Sequence, residues 1–366
     1  MILRRPAVVS LCSEVIMPCN VGRVRNPQAV DLFAGAGGAT QGLKDAGFEL
    51  VGAVELDSDA AASYRLNHPT VMLKECDLRS VSAAGFRREL GLKVGELDLL
   101  KACPPCQGFS TMAEGRVHED AERNDLVLSV VRFVREFRPK SILIENVPGL
   151  QRDRRFNQLI EKFKSLGYSV QYFVVRADEF GVPQRRRRLI VVALRGVRRA
   201  KDLPKDLLVS NSPKSTVSDV FDSLRSRDLS DDALNVSRTL KLKTLARIKA
   251  VPVGGSRRDL PAEHQLDCHV RVDGSGRGAT SSYGRMKLDE AAPTMTTRCT
   301  TPACGRFIHP TEDRGITLRE AASIQTFPPQ YKFVGGYGSI ERQIGNAVPV
   351  QLASQIGEVV RSLLLN

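Results

Sequence analysis

Short apolar runs alternate with amphipathic stretches between about residue 29 and residue 194. Seven of these runs have the length of β-strands, and several are continuously apolar, as expected of strands buried on both faces of a sheet. The predicted strands lie at 29–33, 50–55, 70–75, 97–103, 141–146, 169–175 and 188–194. Repeated alternation of strands and helices predicts an α/β fold, in which a mostly parallel, doubly wound sheet carries helices on both faces.

The clearest helix is predicted within "NDLVLSVVRFVREFRP". Asn124 can cap its start, and Pro139 follows its end. One apolar stripe is formed by Leu126, Val127, Val130, Val131, Val134 and Phe137. The stripe predicts that this helix packs one face against the sheet.

The alternation stops after Leu194, and residues 195–310 are polar, basic and rich in Gly, Ser, Thr and Pro. We expect a smaller, loop-rich domain there. Helical patterns return at 317–328 and 350–365, which predicts that the chain re-enters the first domain. The predicted division is a 1–28 extension, a 29–194 α/β domain, a 195–312 loop-rich domain and a 313–366 return to the first domain.

The composition is that of a globular protein in a reducing compartment. Of 366 residues, 42% are hydrophobic and 26% charged, and no apolar run has the length of a membrane span. Cys12, Ser13 and Glu14 interrupt the apolar stretch near the N-terminus, so we expect a loose extension there and no signal peptide. Eight cysteines without close framework spacing favour reduced thiols and a cytoplasmic location.

The net charge of +13 has two interpretations. It is either a solvated basic surface or a surface that binds a polyanion, because clustered Lys and Arg gain affinity for nucleic acid by counterion release. The basic residues are densest in "QRRRRL" at 184–189. This clustering favours a nucleic acid partner.

A glycine-rich turn in "DLFAGAGGATQGL" (31–43) joins a strand to a helix. Glycines let the backbone approach a ligand closely and leave helix N-terminal N–H groups free, although an ordinary tight turn has the same composition. Glu55 ends the second strand, where an acid can hold ribose hydroxyls. Asp77 ends the third strand, where a carboxylate can accept from an adenine amino group. Together they predict an adenosine-containing cofactor, either a nicotinamide nucleotide or S-adenosylmethionine.

Cys103 and Cys106 form a C-x-x-C pair in "ACPPCQGFS". A zinc half-site is one alternative, but Cys299 and Cys304 are a poor second pair; a redox dithiol is another. Cys103 lies late in an apolar strand, which favours a structural thiol. Cys106 follows the strand and a stiff Pro-Pro pair, which is the placement that a nucleophile needs.

Glu145 follows three apolar residues of the next predicted strand, "SILIEN". A charged side chain in a central strand is costly unless it has a partner or a function. Cys106 and Glu145 are predicted at the same edge of neighbouring strands. A thiol nucleophile beside a carboxyl group fits attack on an electron-poor ring, with the acid binding a ring nitrogen.

The order of these motifs resembles the bacterial DNA (cytosine-5) methyltransferases along nearly the whole chain. The matching stretches are "DLFAGAGG", "VELD", "CD" at 76–77, "PPCQGFS", "ENVPGL", "QRRRRLIVVA", "LREAASIQTFP" and "QIGNAVP". Ala102 and Cys103 depart from the family, in which small residues such as glycine are more usual. The N-terminal 28 residues and most of 195–280 match no known pattern. The resemblance implies a Rossmann-like S-adenosylmethionine-dependent methyltransferase sheet, so that 29–194 is expected to be the catalytic and cofactor-binding domain and 195–312 the target recognition domain.

The resemblance also implies roles for residues around the cofactor. Glu55 is expected to hold the ribose, Asp77 and Leu78 the adenine edge, and Phe33 and Leu56 to flank the adenine. The loop is shaped by Gly35, Ala36 and Gly38, and the methionine portion is approached by Pro105 and Asn346. No metal site is expected.

For the reaction, the resemblance implies that Cys106 attacks cytosine C6, Glu145 contacts N3 and the exocyclic amine, and Arg188 supports the activated ring. The residues expected to contact DNA are Gln107, Ser110, Gln184 and Arg186. The implied partner is double-stranded DNA containing a flipped-out cytosine, with a cognate restriction endonuclease acting on the same site. We expect a monomer in the bacterial cytoplasm, associated with the nucleoid and not with a membrane. Alternatives are a tRNA cytosine-5 methyltransferase, a catalytically silent DNA-binding relative and a nicotinamide-dependent oxidoreductase.

Overall fold

A seven-stranded sheet forms the centre of the protein. The computed structural model describes residues 25–105, 126–196, 210, 212–267 and 281–365. The strands of the sheet are β1 Gln28–Leu32, β2 Glu49–Glu55, β3 Met72–Glu75, β4 Leu99–Ala102, β5 Ser141–Asn146, β6 Tyr168–Arg176 and β8 Arg187–Arg195. Each predicted strand is therefore confirmed. A two-residue pair, β7 Gln184–Arg185 with β9 Ala292–Pro293, lies outside this sheet.

The strand order is β3-β2-β1-β4-β5-β8-β6. The first five strands in this order are mutually parallel, whereas β8 runs antiparallel to both of its neighbours. The connection from β6 to β8 carries no α-helix. Without a crossover helix, the second strand of such a pair must return antiparallel. The prediction of a mostly parallel sheet is confirmed, with β8 as the reversed strand.

Helices cover both faces of the sheet, as predicted. Their bounds are α1 Gly38–Asp45, α2 Ser58–Asn67, α3 Ala83–Glu89, α4 Leu126–Phe137, α5 Arg154–Ser165, α6 Val217–Arg225, α7 Leu242–Ala250, α8 Leu318–Ile324, α9 Tyr337–Asn346 and α10 Val350–Leu365. Apolar side chains of α3, α4 and α5 form the core on one face. Those of α1, α2 and α10 form the core on the other face.

The helix α4 confirms the predicted amphipathic pattern. Val127, Val130, Val131, Val134 and Phe137 are all buried against the sheet. Phe133, which is not part of the predicted apolar stripe, is also fully buried. Asn124, the predicted cap, lies outside the described residues.

The polar region after residue 194 contains more helix than its sequence pattern indicated. Thr216 caps α6 through a reciprocal pair of hydrogen bonds with Asp219. Val220 and Phe221 of α6 pack in the same core as Leu318 and Ile344 of the C-terminal return. The polar region and the return therefore share a core, and the domain boundaries stay a prediction.

The closing helix α10 packs beside α1 on one face of the sheet. Leu352, Ala353 and Ile356 pack against Leu43 of α1. A Cβ on Gly42 would lie 2.4 Å from the carbonyl oxygen of Val350, so the two helices touch closely where α1 has no side chain. Among the described helices, none is long and apolar enough to cross a membrane.

Candidate active site

The carboxyl ends of β3, β2, β1 and β4 lie side by side at one edge of the sheet. Most of the predicted cofactor residues end or follow these strands. They are Phe33 after β1, Glu55 and Leu56 at the end of β2, Asp77 and Leu78 after β3, and Pro105 after β4. In open α/β sheets, ligands bind in the crevice outside this edge.

The glycine turn between β1 and α1 leaves open space on one side and is closely packed on the other. Gly35 and Gly37 have φ angles of +58° and +95°, which favour glycine. A Cβ on Gly35 would meet no described atom within 4 Å, whereas one on Gly37 would lie 2.6 Å from His68 Nε2 and from Tyr331 Oη. The turn therefore presents its backbone at Gly35 to a ligand while Gly37 rests against buried side chains.

Glu55 is fixed by the backbone around it. Its Oε2 accepts from Gly35 N at 2.7 Å, and its Oε1 accepts from Leu56 N at 2.9 Å and Asp57 N at 2.8 Å. Burial raises the pKa of this carboxyl, although the three backbone N–H groups oppose the shift. A carboxylate has about four acceptor positions, so the Oε2 side retains one for a further donor.

The turn after β3 is held by two arginines. Arg79 Nη2 donates to Asp77 Oδ2 at 2.7 Å, and hydrogen bonding by Arg79 lowers the pKa of the Asp77 carboxyl. Leu78 is buried, and Arg132 of α4 donates to the carbonyls of Leu78 and of Val81, the latter at 2.7 Å. Arg132 thus ties the predicted adenine-binding turn to the helix that follows residues 106–125.

A residue of the C-terminal return, Tyr331, hydrogen-bonds to the backbone of the glycine turn. Tyr331 Oη donates to Ala36 O at 2.6 Å and lies 2.9 Å from His68 Nε2. Burial lowers the pKa of His68 to about 4, so its ring is neutral near pH 7. When the neutral ring of His68 carries its proton on Nε2, it donates to the Tyr331 hydroxyl oxygen. The hydroxyl proton of Tyr331 is then free to form the hydrogen bond to the carbonyl oxygen of Ala36.

Asn346 ends α9 and is exposed. It lies two residues before Val348, whose carbonyl oxygen would be 2.8 Å from a Cβ on Gly38. Gly38 begins α1. The predicted cofactor residues Asn346 and Gly38 are therefore brought to the same place by close backbone packing.

Glu145 near the end of β5 and Arg188 at the start of the adjacent antiparallel strand β8 form a nearly buried ion pair. Arg188 Nε lies 2.6 Å from Glu145 Oε1, and the side chains are 11% and 12% exposed. The contact is close, but it lacks the alignment of a hydrogen bond, so Glu145 Oε1 has no hydrogen-bond donor in the described part of the chain.

The backbone that leads to Cys106 is attached beside this pair. Asn146 Nδ2 donates to Pro104 O at 3.0 Å, and Ala102 of β4 is paired with Ile144 of β5. The strand β4 and the Pro-Pro stretch thus lie beside β5, which carries Glu145, and the shared edge of Cys106 and Glu145 stays a prediction. Cys106, Gln107 and Ser110 themselves lie outside the described residues.

Cys103 has the environment of a structural thiol. It packs against the core on the α1 face, and burial raises the pKa of its thiol despite the nearby Lys101 ammonium. Lys101 Nζ is 2.8 Å from Asp31 Oδ1, and Thr40 Oγ1 donates to Asp31 Oδ2 at 2.8 Å. A raised thiol pKa disfavours the thiolate form that nucleophilic and redox chemistry require.

Gln184 and Arg186 are buried, at 0% and 4% exposed. Gln184 Nε2 donates to Gln325 Oε1, and Gln184 Oε1 accepts from Met295 N, both at 2.8 Å. Arg186 Nη1 donates to the carbonyls of Met295 at 2.9 Å and Gly345 at 3.1 Å. These contacts connect β7 and its surroundings to the C-terminal return, and the DNA contact expected of both residues stays a prediction.

Sequence reasoning missed the residues that support the site, namely Asp31, His68, Lys101, Arg132 and Tyr331. A signal was present for two of them. Asp31 and Lys101 are charged residues inside apolar strands, which is the same anomaly that identified Glu145. The other three lie in ordinary helix or loop contexts, and only the tertiary contacts reveal them.

Comparisons with known proteins point to one family along nearly the whole chain. The sequence model described as C-5 cytosine-specific DNA methylase matches residues 28–362. Type II methylase M.HgiDII of Herpetosiphon aurantiacus is 34% identical over 92% of this chain and 95% of its own length. Type II methyltransferase M.PspPI of Psychrobacter sp. (strain TA137) is 37% identical over 93% of this chain and 80% of its own length.

The fold is also similar to that of solved structures. One is described as a DNA modification methyltransferase encoded within an Escherichia coli prophage, with a TM-score of 0.66 and 24% identity over 93% of this chain and 100% of that one. The Entamoeba histolytica methyltransferase EhMeth gives a TM-score of 0.63 and 17% identity over 93% and 99%. With a family match that spans most of its length, the chain belongs to the C-5 cytosine-specific DNA methylases and is a DNA (cytosine-5) methyltransferase.

Proposed function

We propose that this enzyme methylates carbon 5 of a cytosine flipped out of duplex DNA, using S-adenosylmethionine and a covalent bond between Cys106 and cytosine C6. The observation that carries the proposal is the nearly buried Glu145–Arg188 pair, with a contact distance of 2.6 Å, beside the strand that leads to Cys106. A carboxylate oxygen without an aligned donor lies within this pair.

The residues present fit an adenosyl cofactor. The Gly35 backbone faces open space, and Glu55 keeps one acceptor position for a ribose hydroxyl. Leu56 is 65% exposed at the same edge, so its side chain is available to cover an adenine ring. Asp77 Oδ atoms at the next strand end can accept from the adenine amino group. When bound, the cofactor supplies an electrophilic methyl group.

The chain's own groups account for the activation of cytosine. Addition of the Cys106 thiolate to C6 gives C5 the character of an enamine carbon, which can accept a methyl cation equivalent. Loss of the C5 proton then expels the thiolate and restores the ring. Glu145 contacts N3 and the exocyclic amine, and the Arg188 guanidinium holds Glu145 in place from the side.

This chemistry requires a base outside the helical stack. Extrusion of a base costs a few kcal/mol, which protein contacts to the flanking DNA must repay. The net charge of +13 supplies phosphate-binding capacity. We infer that the polar region at 195–312 reads the sequence, although residues 197–209 and 268–280 lie outside the description.

We further infer a restriction-modification context. The relatives M.HgiDII and M.PspPI are both named as Type II enzymes and match almost the whole chain. A cognate endonuclease that cuts the same site when it is unmethylated is the corresponding partner. The monomeric state expected from sequence is part of this proposal, and so is action on bacterial DNA in the cytoplasm.

The test is methyl transfer by the wild type and by Cys106→Ser on duplex DNA and on tRNA, with labelled S-adenosylmethionine. We expect the wild type to label DNA at C5 of cytosine and Cys106→Ser to lose transfer while it still binds cofactor and DNA. A duplex with 5-fluorocytosine at the target should trap the wild type covalently through residue 106. Normal turnover by Cys106→Ser would refute the covalent mechanism, and labelling of tRNA alone would favour the RNA alternative.

A further inference from the structure

The turn that joins β3 to α3 spans residues 77–81 and lies at the edge of the sheet where the cofactor residues are predicted. It starts beside the acid that ends β2, because Cys76 N donates to Glu55 O at 2.9 Å. Asp77 opens the turn, and its side chain is 28% exposed, so the carboxylate is accessible to a ligand. The contacts that hold this turn in place have no part in the methyl-transfer chemistry described above.

The side of the turn that faces α4 is anchored by one arginine. Leu78 and Val81 are buried in the same core as Val130 and Phe133 of α4. Arg132 of α4 donates from Nη1 to Val81 O at 2.7 Å and from Nη2 to Leu78 O. Backbone carbonyls of buried residues need hydrogen-bond donors. The planar fork of Arg132 supplies two such donors and fixes the turn at both ends.

The other side of the turn is held by an exposed arginine. Arg79 N donates to Asp77 Oδ1 and Arg79 Nη2 donates to Asp77 Oδ2, both at 2.7 Å. Because the Arg79 side chain is 58% exposed, its ion pair contributes little to stability and can be exchanged for another donor. Arg132 is partly buried and bound to backbone, so it keeps its place when a ligand replaces the Arg79 side chain at Asp77.

The two guanidinium groups also determine the charge of Asp77. Hydrogen bonding by Arg79 and, to a smaller extent, the charge of Arg132 lower the pKa of this carboxyl. An ionised carboxylate accepts hydrogen bonds and donates none. Asp77 can therefore bind the amino group at C6 of adenine, whereas it repels the carbonyl oxygen that hypoxanthine carries at the same carbon. A turn with a fixed position converts this difference into selectivity between the two bases.

We propose that Arg132 is a positioning residue that gives the enzyme its preference for an adenine base over a hypoxanthine base in the cofactor, by holding the turn that carries Asp77. The inference rests on the proposed function, in which Asp77 accepts from the adenine amino group. Without Arg132, the carbonyls of Leu78 and Val81 lose this donor, and the turn is no longer tied to α4. Asp77 then loses its fixed distance to the base, which weakens binding of the amino-bearing cofactor alone.

The experiment measures dissociation constants of the full chain by titration calorimetry with two ligands, S-adenosylhomocysteine and S-inosylhomocysteine, which carry adenine and hypoxanthine. A hydrogen bond to a charged group corresponds to roughly 10- to 100-fold in affinity, so we expect the wild type to prefer the adenosyl ligand by that factor. Arg132→Met should bind the adenosyl ligand at least about 10-fold less tightly and keep its affinity for the inosyl ligand. Arg132→Lys has one ammonium group in place of the fork and should lose less of the preference.

Two further variants separate positioning from general stability. Arg135→Met removes an exposed arginine of the same helix and should keep the affinities for both ligands. Asp77→Asn should lose the preference itself, because an amide both donates and accepts hydrogen bonds. In the double variant Arg132→Met/Asp77→Asn, the preference should fall no further than in Asp77→Asn, since both changes act on one contact.

Equal weakening of both ligands in Arg132→Met would overturn the assignment, since it marks a general structural loss, and so would an unchanged preference. Thermal melting verifies folding, and Arg132→Lys decides by the same two criteria if Arg132→Met does not fold. A wild type that methylates DNA but binds both ligands equally would remove the role of Arg132 and leave the methyl-transfer proposal standing. A wild type that methylates no DNA and binds neither ligand would remove the proposed function as well.

Discussion

Replacing Tyr331 with phenylalanine removes one buried hydroxyl and leaves the aromatic packing intact. The Tyr331 ring contacts Phe327 and Phe333 at centroid distances of 4.7 and 5.4 Å, and a phenyl ring can keep these contacts. The lost oxygen is the only group that joins His68 to the carbonyl of Ala36 among the described contacts. The change therefore tests whether this link sets the glycine turn for its cofactor.

The magnitude follows from the two hydrogen bonds. Each neutral buried bond contributes about 0.5–1.5 kcal/mol, and stranding a buried partner costs about 1–3 kcal/mol. The Ala36 carbonyl is such a partner, and His68 Nδ1 already has no partner in the described contacts. We expect Tyr331→Phe to lower the free energy of unfolding by about 2–3 kcal/mol and to weaken S-adenosylmethionine binding roughly 5- to 20-fold.

Tyr168→Phe is the matched control. Tyr168 is buried to a similar degree, and its hydroxyl donates to Pro139 O at 2.7 Å at the opposite, amino-terminal edge of the sheet. It should lose about 1 kcal/mol of stability and keep wild-type cofactor affinity. Urea denaturation gives the stabilities and titration calorimetry gives the dissociation constants. Equal cofactor affinity in wild type and Tyr331→Phe, or an equal affinity loss in Tyr168→Phe, would refute the positioning role.

Three further predictions follow from the buried charges. Lys101→Met leaves Asp31 charged and without its ammonium partner, so we expect the free energy of unfolding in denaturant to fall by about 3–5 kcal/mol. The double variant Lys101→Met/Asp31→Leu should restore most of this loss, and a loss below about 1 kcal/mol in the single variant would contradict the reasoning. Glu55→Gln replaces one acceptor oxygen with a donor that faces backbone N–H groups, so cofactor affinity measured by calorimetry should fall at least about 10-fold, and unchanged affinity would exclude Glu55 from the site. The pKa of His68 in the folded protein, about 4, lies below its unfolded value, so unfolded chains bind the proton first as the pH falls from about 6.5 towards 4. The free energy of unfolding should therefore decline across that window in wild type and decline less in His68→Gln. Identical pH profiles of the two proteins would count against this role of His68.

The sheet could be predicted because its central strands are largely apolar. Strands such as β5 and β8 are buried on both faces, and this leaves a continuous hydrophobic run in the sequence. The reversed direction of β8 leaves no such trace, since it depends on the missing crossover helix after β6. Helix α6 was missed, although its Thr-x-x-Asp cap and the apolar spacing of Val220, Phe221 and Leu224 were visible.

For the candidate site, sequence indicated the residues at strand ends and could not indicate their supports. Glu55 and Glu145 stand out because each interrupts or ends an apolar run. Tyr331 and Arg132 reach the site from helices and loops far along the chain, through contacts to Ala36 and Leu78. Gln184 and Arg186 are buried by tertiary contacts that the basic motif around them does not indicate.

The C-terminal return connects the two ends of the site. Tyr331 contacts the glycine turn at Ala36, whereas Gln325 and Gly345 accept from Gln184 and Arg186 beside the β7 strand. Closely packed segments of this kind transmit small displacements, because interiors are too dense to absorb them. The return therefore links the glycine turn to the β7 strand by direct contacts. It follows that a substitution in the return should perturb both regions together, whereas Glu55→Gln should perturb the glycine turn alone.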